Sequence, residues 1–564
     1  MAKYSCVSNS ILISLLYCEG TLSYLPSHIT TSKLSSTFLK QSNNDNNNKI
    51  NKKEEILSSN KSTVWTEFGK LSETCDIKAN LGQGFPNWSP PLFCRQSLVE
   101  AVTEDTSYQH QYTRTQGHPK LVNELSTRYS IHLHRHIDPM NDVAITVGAS
   151  QALYLALQSL VNNHDDEVIV FEPFFDLYIN QIKLAGGTPV PVPLTFVPYD
   201  DNNNNDNNGG GEWVLEKDVL ESKISSKTRA IILNSPHNPT GKVFTKDEMQ
   251  MIADAMTSNA HPDCVVLSDE VYKYIIHAPP QTSSSSSVDG NNNNNIECVD
   301  EECIDFIQKC EGHVHFASLP NMYNKTLTIS SAGKTFSATG WQVGWCIGPT
   351  HLIKPIHTLL PYVQFCPSTL MQEALARSLH LADMPYMGHN SYYDYLKYTY
   401  IQKRDMLVHA LVKAGFGVPD YNRTSGGGFF ILARITDDIM QALPAQLLKQ
   451  VNDNRNNYID DQTKRLDWVF CKWLAQEKGV LCIPSSPFFS NNIDSSNNNE
   501  RLSDRFIRVA FCKLDETIET ASDVFDTLVT EVPSKNNLHD DNIIGATSAT
   551  TTMECNATDV VVVE

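Results

Sequence analysis

The sequence predicts an α/β protein whose core is a mostly parallel sheet, and three observations lead to this prediction. Short β-branched or apolar runs alternate with helical stretches from Val143 to Ile329. Each run has the length of a buried strand, and most of them end at small, turn-forming or ionisable residues. The chain has 564 residues, of which 41% are hydrophobic, so it can bury a core large enough for two lobes.

Six runs are predicted to be strands of this sheet, and two stretches between them to be helices. The third strand contains prolines, which favour a position at the edge of the sheet. Because strands separated by helices lie parallel, their carboxyl ends share one edge, where α/β proteins bind ligands. The predicted strands are Val143–Val147, Glu167–Phe171, Thr188–Pro193, Ala230–Leu233, Cys264–Leu267 and Leu327–Ile329, and the predicted helices are Gln151–Val161 and Thr245–Met256.

Five polar segments of low complexity are predicted to lie outside the folded core. Each has too few apolar residues to offset the conformational entropy that is lost on ordering. Residues 1–53 form a leader that is disordered or a targeting peptide, and residues 533–564 form a disordered tail. Residues 200–211, 281–295 and 490–499 are interpreted as surface-loop expansions.

The leader leaves the cellular compartment open. A short apolar run, Ile11–Tyr17, permits a secretory signal, but Glu19 follows it closely. The serine content and the scarcity of acidic residues resemble a mitochondrial presequence, yet no arginine precedes Arg95. The expected localisation is cytoplasmic or mitochondrial.

Composition argues against several classes of function. The formal net charge of −20 disfavours a nucleic-acid partner, which needs a basic surface. No apolar run approaches the ~18–20 residues that a membrane-spanning helix needs. The 14 cysteines show no metal-ligand spacing, and Cys298, Cys303 and Cys310 match no zinc signature, so no metal site is expected.

Lys334 is the first candidate for a catalytic residue. It follows the last predicted strand, inside Ser331–Trp345, where small residues leave room above it for a large flat molecule. A lysine in this setting can condense with a carbonyl group, provided that its amine is partly neutral. The alternative for this motif in isolation is a surface lysine in a glycine-rich turn.

Two further strand ends carry polar groups. Asn238 lies in a proline-rich loop that fixes the backbone, so its amide can donate a well-placed hydrogen bond. Asp269 follows the fifth strand, and Tyr272 comes three residues later. An aspartate can keep the nitrogen of a bound ring protonated, which makes that ring an electron sink. The alternative for Asn238 is a tight loop of turn-forming residues, and the alternative for Asp269 is a helix N-cap.

Three other groups indicate a bound anion or a bound ring. Gly148–Ser150 joins a strand to a helix, where unpaired backbone N–H groups suit a phosphate. Phe175 follows the second strand and can stack on a flat ring, although core packing is the commoner role of such a residue. Arg508 interrupts an apolar strand pattern, so it needs an anionic partner, which is either a bound carboxylate or a buried structural ion pair.

In combination, these motifs resemble the class I aminotransferases of PLP-dependent transferase fold type I. Within that class they resemble the kynurenine aminotransferase group, also called cysteine-S-conjugate β-lyase or glutamine transaminase K. The resemblance implies pyridoxal 5'-phosphate (PLP) as cofactor, amino acids and 2-oxo acids as substrates, and a homodimer with a shared active site. The motifs are LGQGFP, QYTRTQG, GASQAL, EPFFD, NSPHNPTGKVF, SDEVY, SAGKTFSATGW and FIRVAF, and the resemblance covers about Trp65 to Leu528.

The resemblance also implies roles for single residues. Lys334 matches the lysine that bonds to the cofactor and moves the proton at the substrate Cα. Arg508 matches the residue that binds the substrate α-carboxylate. The other implied cofactor contacts are Ala149, Ser150, Phe175, Asn238, Asp269, Tyr272, Ser331 and, across a dimer interface, Tyr112; the other implied substrate contacts are Gly84, Asn238 and Trp65.

The implied architecture is a large PLP-binding domain with a mostly parallel sheet and a smaller α+β domain. Residues 54–90 would form an N-terminal arm and part of the small domain. Residues 91–381 would form the large domain, and residues 382–532 would complete the small one.

One position and one short segment depart from the family pattern. Gln342 stands where the class usually places Arg or Lys on the phosphate, and residues 363–367 differ near the substrate pocket, so substrate preference does not carry over. The expected reaction is transamination of a bulky or aromatic amino acid such as kynurenine or glutamine, with β-elimination from cysteine S-conjugates as a side reaction. The alternatives are a lyase related to aminocyclopropane-carboxylate synthase and a non-catalytic PLP-binding module, which the presence of Lys334 and Arg508 disfavours.

Overall fold

The computed structural model describes residues 63–104, 107–199, 209–277, 313–421, 426–456, 461–490 and 501–531. The predicted leader, the predicted tail and most of the three predicted inserts lie outside these residues. The described end of the first insert corrects the prediction. Gly211 begins a strand and pairs with Pro198, and Gly210 accepts a backbone hydrogen bond from Tyr199, so the insert is shorter than expected.

The helices are α1 Val64–Thr74, α2 Leu92–Thr103, α3 Pro119–His132, α4 Gly148–Leu160, α5 Leu177–Leu184, α6 Lys217–Lys223, α7 Lys246–Asn259, α8 Ala332–Thr335, α9 Thr350–Val363, α10 Thr369–Ala382, α11 Tyr392–Lys413, α12 Asp437–Met440, α13 Ala445–Asn456, α14 Leu466–Trp473 and α15 Asp515–Glu531. The strands are β1 Ala79–Asn80, β2 Val143–Val147, β3 Glu167–Glu172, β4 Thr188–Pro193, β5 Thr195–Pro198, β6 Gly211–Val214, β7 Thr228–Asn234, β8 Val265–Asp269, β9 Thr326–Ser331, β10 Val343–Ile347, β11 Phe430–Arg434, β12 Val480–Leu481, β13 Ile483–Pro484 and β14 Phe506–Ala510.

A seven-stranded sheet with the order β2-β10-β9-β8-β7-β3-β4 forms the centre of the fold. Neighbouring strands from β4 to β9 run parallel, whereas β10 runs antiparallel to both β9 and β2. Strands β2, β7, β8 and β9 therefore point the same way, and their carboxyl ends share one edge. This arrangement confirms the predicted α/β class with a mostly parallel sheet.

The sheet is buried on both faces, as its apolar strands predict. Along β3, Ile169 and Phe171 pack into one hydrophobic cluster, whereas Val168 and Val170 pack into the cluster on the opposite face. Successive side chains of a strand point to opposite faces, so a run of four apolar residues fits a sheet that helices cover on both sides.

Three smaller sheets complete the structure. Strands β11, β14 and β13 form an antiparallel sheet in which Arg508 lies in the central strand, opposite Leu432 on one side and Ile483 on the other. Strand β1 pairs in parallel with β12, and β5 pairs with β6. Among the described helices, none is long and apolar enough to cross a membrane.

The six predicted strands and two predicted helices are confirmed, with shifted boundaries. Helix α4 begins at Gly148 and not at Gln151, so the small residues that precede the predicted helix form its first turn. Helix α7 begins after Thr245, which caps it by a reciprocal pair of hydrogen bonds with Glu248. Strand β10 was not predicted, because its sequence follows the Lys334 loop directly and was interpreted with that loop.

Gly344 allows β10 to pass close to the first turn of α4. A Cβ at this position would lie 2.3 Å from the carbonyl carbon of Gly148, which is rigid backbone. We expect Gly344→Ala to lower the free energy of unfolding by about 1–3 kcal/mol through this overlap, as measured by chemical denaturation.

Gly340 provides the matched control, because nothing lies within 4 Å of a Cβ built there. We expect Gly340→Ala to change stability by less than about 0.5 kcal/mol. Equal effects of the two substitutions would contradict the close approach.

Candidate active site

A cavity of about 630 Å³ opens at the carboxyl edge of the large sheet. All predicted site residues except Tyr112 line it, so strand ends and loops that are far apart in sequence meet at one place. The predicted residues in the lining are Trp65, Gly84, Ala149, Ser150, Phe175, Asn238, Asp269, Tyr272, Ser331, Lys334 and Arg508.

Lys334 lies in α8, the short helix that follows β9 directly. Its Nζ donates a hydrogen bond to the carbonyl oxygen of Gly84 at 2.8 Å. Burial disfavours the charged amine and lowers the pKa of Lys334 to about 8. A substantial fraction of the amine is therefore neutral at slightly alkaline pH, as condensation with a carbonyl requires.

Asp269 ends β8 and is buried below the pocket. Burial raises its pKa to about 6, although the hydroxyl of Tyr178 donates to its Oδ2 at 2.7 Å and opposes this rise. The carboxylate is thus mostly ionised at neutral pH, and it presents a negative charge at the base of the cavity.

The loop that carries Asn238 is tied to β8. Asn234 donates from its amide to the carbonyl of Asp269 at 2.9 Å and accepts from the backbone N–H of Asn238 at 2.8 Å. The loop therefore moves as a unit with the strand that positions Asp269. Tyr272 lies edge-on against Phe429, at 5.1 Å between ring centroids, and burial raises the pKa of its hydroxyl well above the ordinary value.

Arg508 is buried in the centre of β14, and neutral groups hold its guanidinium. It donates to the carbonyl of Gly82 at 3.0 Å and to Oδ1 of Asn238 at 3.3 Å, while the rings of Phe430 and Trp65 lie 4.2 and 5.0 Å from its Cζ. Its Nε has no hydrogen-bond partner among the described residues. Burial lowers the pKa of Arg508 to about 10. The guanidinium of Arg508 is therefore held in place, and its Nε–H group can still donate a hydrogen bond to a ligand.

The opposite part of the cavity is built for an anion by backbone groups. Gly148 begins α4 with φ +70, and Ala149 and Ser150 follow it in the first turn, where helix N–H groups point outward. Gln342 lies beside this turn in the left-handed region, and its side-chain amide donates to the carbonyl of Thr339 at 2.6 Å. In the described lining of the cavity, the cationic residues are Lys334 and Arg508. The first turn of α4 therefore has no additional cationic side chain beside it in this lining.

Tyr112 is the predicted residue that the structure does not bring to the pocket of its own chain. Its side chain is 78% exposed, and its ring lies 4.8 Å from that of Phe365, which is itself 52% exposed. The resemblance assigned this tyrosine to a neighbouring subunit, and the position in the single chain leaves that assignment as a prediction.

Two side chains of the cavity lining, Tyr178 and Asp176, were not predicted from the sequence. Tyr178 is buried and holds the Asp269 carboxylate, and Asp176 accepts a hydrogen bond from the indole of Trp65 at 2.8 Å and lines the cavity. Both belong to the segment that starts with the quoted motif EPFFD. The available signal was their place just after the end of β3.

Glu270, next to Asp269, faces away from the pocket and pairs with two histidines. Its Oε2 lies 2.6 Å from Nδ1 of His315 and 3.5 Å from Nε2 of His313. Burial tends to raise the pKa of Glu270, but the two imidazoles outweigh it and hold the pKa well below its usual range. Two ligands of one tetrahedral zinc ion lie about 3.3 Å apart. The 2.6 Å distance between Glu270 and His315 is shorter than this and is that of a hydrogen bond.

The residues of the pocket fit PLP. The cavity volume lies in the range of cofactor sites, a buried lysine amine faces it, and an aspartate ionised at neutral pH lies at its base. The first turn of α4 suits the phosphate, and the unsatisfied Nε of Arg508 suits a carboxylate. The fold and the pocket together define a PLP-dependent transferase of fold type I.

Comparisons with known proteins identify the family. The aminotransferase class I and II profile matches residues 76–523. Kynurenine–oxoglutarate transaminase 3 of Bos taurus is 36% identical over 467 residues, which are 82% of this chain and 87% of the relative. Kynurenine–oxoglutarate transaminase of Dictyostelium discoideum is 35% identical over 465 residues, 82% of this chain and 93% of the relative. The solved structure of Bna3p from Saccharomyces cerevisiae is 28% identical, has a TM-score of 0.67, and matches 85% of this chain and 98% of its own.

The chain therefore belongs to the class I and II aminotransferases, which use PLP to transfer an amino group between amino acids and 2-oxo acids. This confirms the predicted family, reaction type and cofactor. The roles of the single site residues remain proposals.

The hydrogen bond from Tyr178 to Asp269 yields a prediction about pH dependence. The hydroxyl stabilises the ionised carboxylate, so its removal in Tyr178→Phe raises the pKa of Asp269 further above about 6. We expect the acidic limb of the kcat/KM profile to move to higher pH by about one unit.

Tyr154→Phe in α4 is the control, since this tyrosine does not line the cavity. An unshifted acidic limb in Tyr178→Phe, with activity retained, would show that the bond does not set the ionisation of Asp269.

Proposed function

We propose that this chain catalyses transamination between a bulky or aromatic amino acid, such as kynurenine or glutamine, and a 2-oxo acid. The observation that carries the proposal is the presence of Lys334, Asp269 and Arg508 in the lining of one cavity. Two relatives named as kynurenine–oxoglutarate transaminases support the substrate class, as do the aromatic rings of Trp65 and Phe430 in the cavity lining.

Several residues would hold the cofactor. Ala149, Ser150 and Ser331 would bind the phosphate, and Phe175 would lie against the ring. Asp269 would keep the ring nitrogen protonated, because a carboxylate ionised at neutral pH favours the adjacent positive charge. Tyr272 and Asn238 would donate to the phenolic oxygen. When bound, PLP supplies an electron-poor ring that stabilises negative charge at the substrate Cα.

The remaining work falls to the chain itself. Arg508 would bind the substrate α-carboxylate in a bidentate manner, with Asn238, Gly84 and Trp65 completing the contact. Lys334 would move the proton between the substrate Cα and the cofactor carbon that is bonded to the amino nitrogen, and its pKa of about 8 suits both steps near neutral pH. The aromatic walls would keep water from the reacting atoms.

The proposal includes an assembly and a two-domain organisation. A homodimer would complete the site, with Tyr112 reaching a neighbouring cavity, and the exposed rings of Tyr112, Tyr362 and Phe365 support such an interface. Residues 91–381 would form the large domain and residues 54–90 with 382–532 the small one, which fits the pairing of β1 with β12.

Lys334→Ala tests the central assignment. We expect kcat for transamination to fall by about 10²–10⁴-fold, because the variant lacks the general acid and base. The rate is measured with a panel of amino donors against several 2-oxo acids. Lys354→Ala, in an exposed position of α9, is the control and should keep the rate. Normal turnover by Lys334→Ala would refute the role of this lysine.

Gln342→Lys tests the anion end of the cavity. Because Gln342 is neutral and its amide is engaged with Thr339, we expect the added charge to lower the dissociation constant for PLP by about tenfold or more. The constant is measured by equilibrium dialysis of the cofactor-free protein. Gln342→Met, which keeps the length of the side chain and adds no charge, should not tighten binding. If Lys and Met act alike, charge is not what limits phosphate affinity.

A further inference from the structure

The loop that runs past the Lys334 amine has each of its carbonyl groups engaged in a hydrogen bond. This loop comprises residues 81–85 and directly follows β1. In chain order its carbonyls belong to Leu81, Gly82, Gln83, Gly84 and Phe85, and their donors are the backbone N–H of Ala510 and the side chains of Arg508, Lys513, Lys334 and again Lys513. The position of the loop therefore depends on β14 and on the segment that follows this strand.

Lys513 holds the centre of this loop. Its Nζ donates to the carbonyl oxygen of Gln83 at 2.8 Å and to that of Phe85 at 3.0 Å, which lie on either side of Gly84 in the chain. The carbonyl of Gly84 itself accepts the hydrogen bond from Nζ of Lys334 at 2.8 Å. Two lysine amines thus bind neighbouring carbonyls of one short loop, and the position of Gly84 links them.

Lys513 is a buried cation that carbonyl groups hold. Its side chain is 3% exposed, and no carboxylate of the described residues forms a salt bridge with it. Burying a cation without an anionic partner is unfavourable, and burial accordingly lowers the pKa of Lys513. An apolar side chain would fill the same space without this cost, but it could not bind the two carbonyls of the loop.

The hydrogen bond to Gly84 bears on the reaction of Lys334 with an aldehyde. In that reaction the neutral amine nitrogen bonds to the aldehyde carbon, and its two hydrogens leave with the aldehyde oxygen as water. A lysine side chain is long and flexible, so an amine that is free to move loses conformational freedom when it reacts. An amine that the Gly84 carbonyl already holds inside the cavity loses less, and it reacts faster.

We propose that Lys513 is a positioning residue, which fixes residues 81–85 so that the Gly84 carbonyl holds the Lys334 amine in place to bond to PLP. This inference rests on the role of Lys334 in the proposed function. Lys513 does not belong to the described lining of the cavity, so it acts on the reaction through the loop. The alternative is a purely structural role, in which Lys513 stabilises the fold without affecting the reaction of Lys334.

Capture of the cofactor by the full-length, cofactor-free chain tests the proposal. The rate constant for bonding of PLP to Lys334 is measured from the change in visible absorbance. We expect Lys513→Met, which lacks the donors, to lower this rate constant by about tenfold. Lys513→Arg keeps the charge and the donors and should remain within about threefold of the wild type. Lys513→Gln keeps a donor on a shorter side chain, should lower the rate constant by about threefold, and provides the measurement if Lys513→Met does not fold.

Pyridoxine 5'-phosphate separates positioning of the amine from a general loss of structure. It has the ring and the phosphate of PLP, but an alcohol replaces the aldehyde, so it cannot bond to a lysine. We expect its dissociation constant, measured by calorimetry, to change by less than about twofold in Lys513→Met, because the substitution leaves Asp269 and the first turn of α4 intact.

Lys403→Met is the matched control for the loss of a buried lysine. Lys403 is 7% exposed, and its Nζ pairs with the carboxylate of Asp515 and not with a carbonyl of the loop. We expect this variant to capture PLP within about twofold of the wild-type rate constant.

An unchanged capture rate in both Lys513→Met and Lys513→Gln would overturn the inference. It would also be overturned if capture of PLP and binding of pyridoxine 5'-phosphate weakened by the same factor, since that result fits a purely structural role. A failure of the proposed function is distinct from both results. A wild-type chain that bonds PLP at Lys334 but transaminates no donor would refute the proposed function, while the capture rates would still support the role of Lys513.

Discussion

Three ionisable side chains, Lys334, Asp269 and Arg508, line one cavity, and among the described residues no salt bridge pairs any of them. Asp269 and Arg508 are buried, and Lys334 is partly buried. Neutral groups hold them instead: the Gly84 carbonyl, the Tyr178 hydroxyl, the Gly82 carbonyl and the Asn238 amide. Burial without a charged partner costs stability and moves each pKa toward the neutral form. The fold must supply the free energy that keeps these groups in place.

The large sheet supplies this free energy. Strands β2, β7, β8 and β9 point the same way and are buried on both faces, so their carboxyl ends are fixed relative to one another. Strand β10 runs antiparallel between β2 and β9 and brings the Gln342 backbone to the start of α4. The anion end and the lysine thus belong to one rigid unit, while Arg508 comes from a separate small sheet.

Much of this arrangement could be predicted, because the strands and the residues at their ends have local signals. Lys334, Asp269 and Asn238 each follow an apolar run, and the rule that parallel strands share an edge brings them together. Tyr178 and Asp176 could not be found in this way, since their roles depend on contacts with Asp269 and Trp65 that are 91 and 111 residues away. Strand β10 was missed because no turn signal separates it from the lysine loop.

The most direct test of the account is the identity of the lysine that bonds to PLP. Reduction of the holoenzyme with borohydride, followed by proteolysis and mass spectrometry, fixes the cofactor to the residue that carries it. We expect a single modified peptide with the label on Nζ of Lys334. A label on another lysine, with Lys334 unmodified, would contradict the role of Lys334.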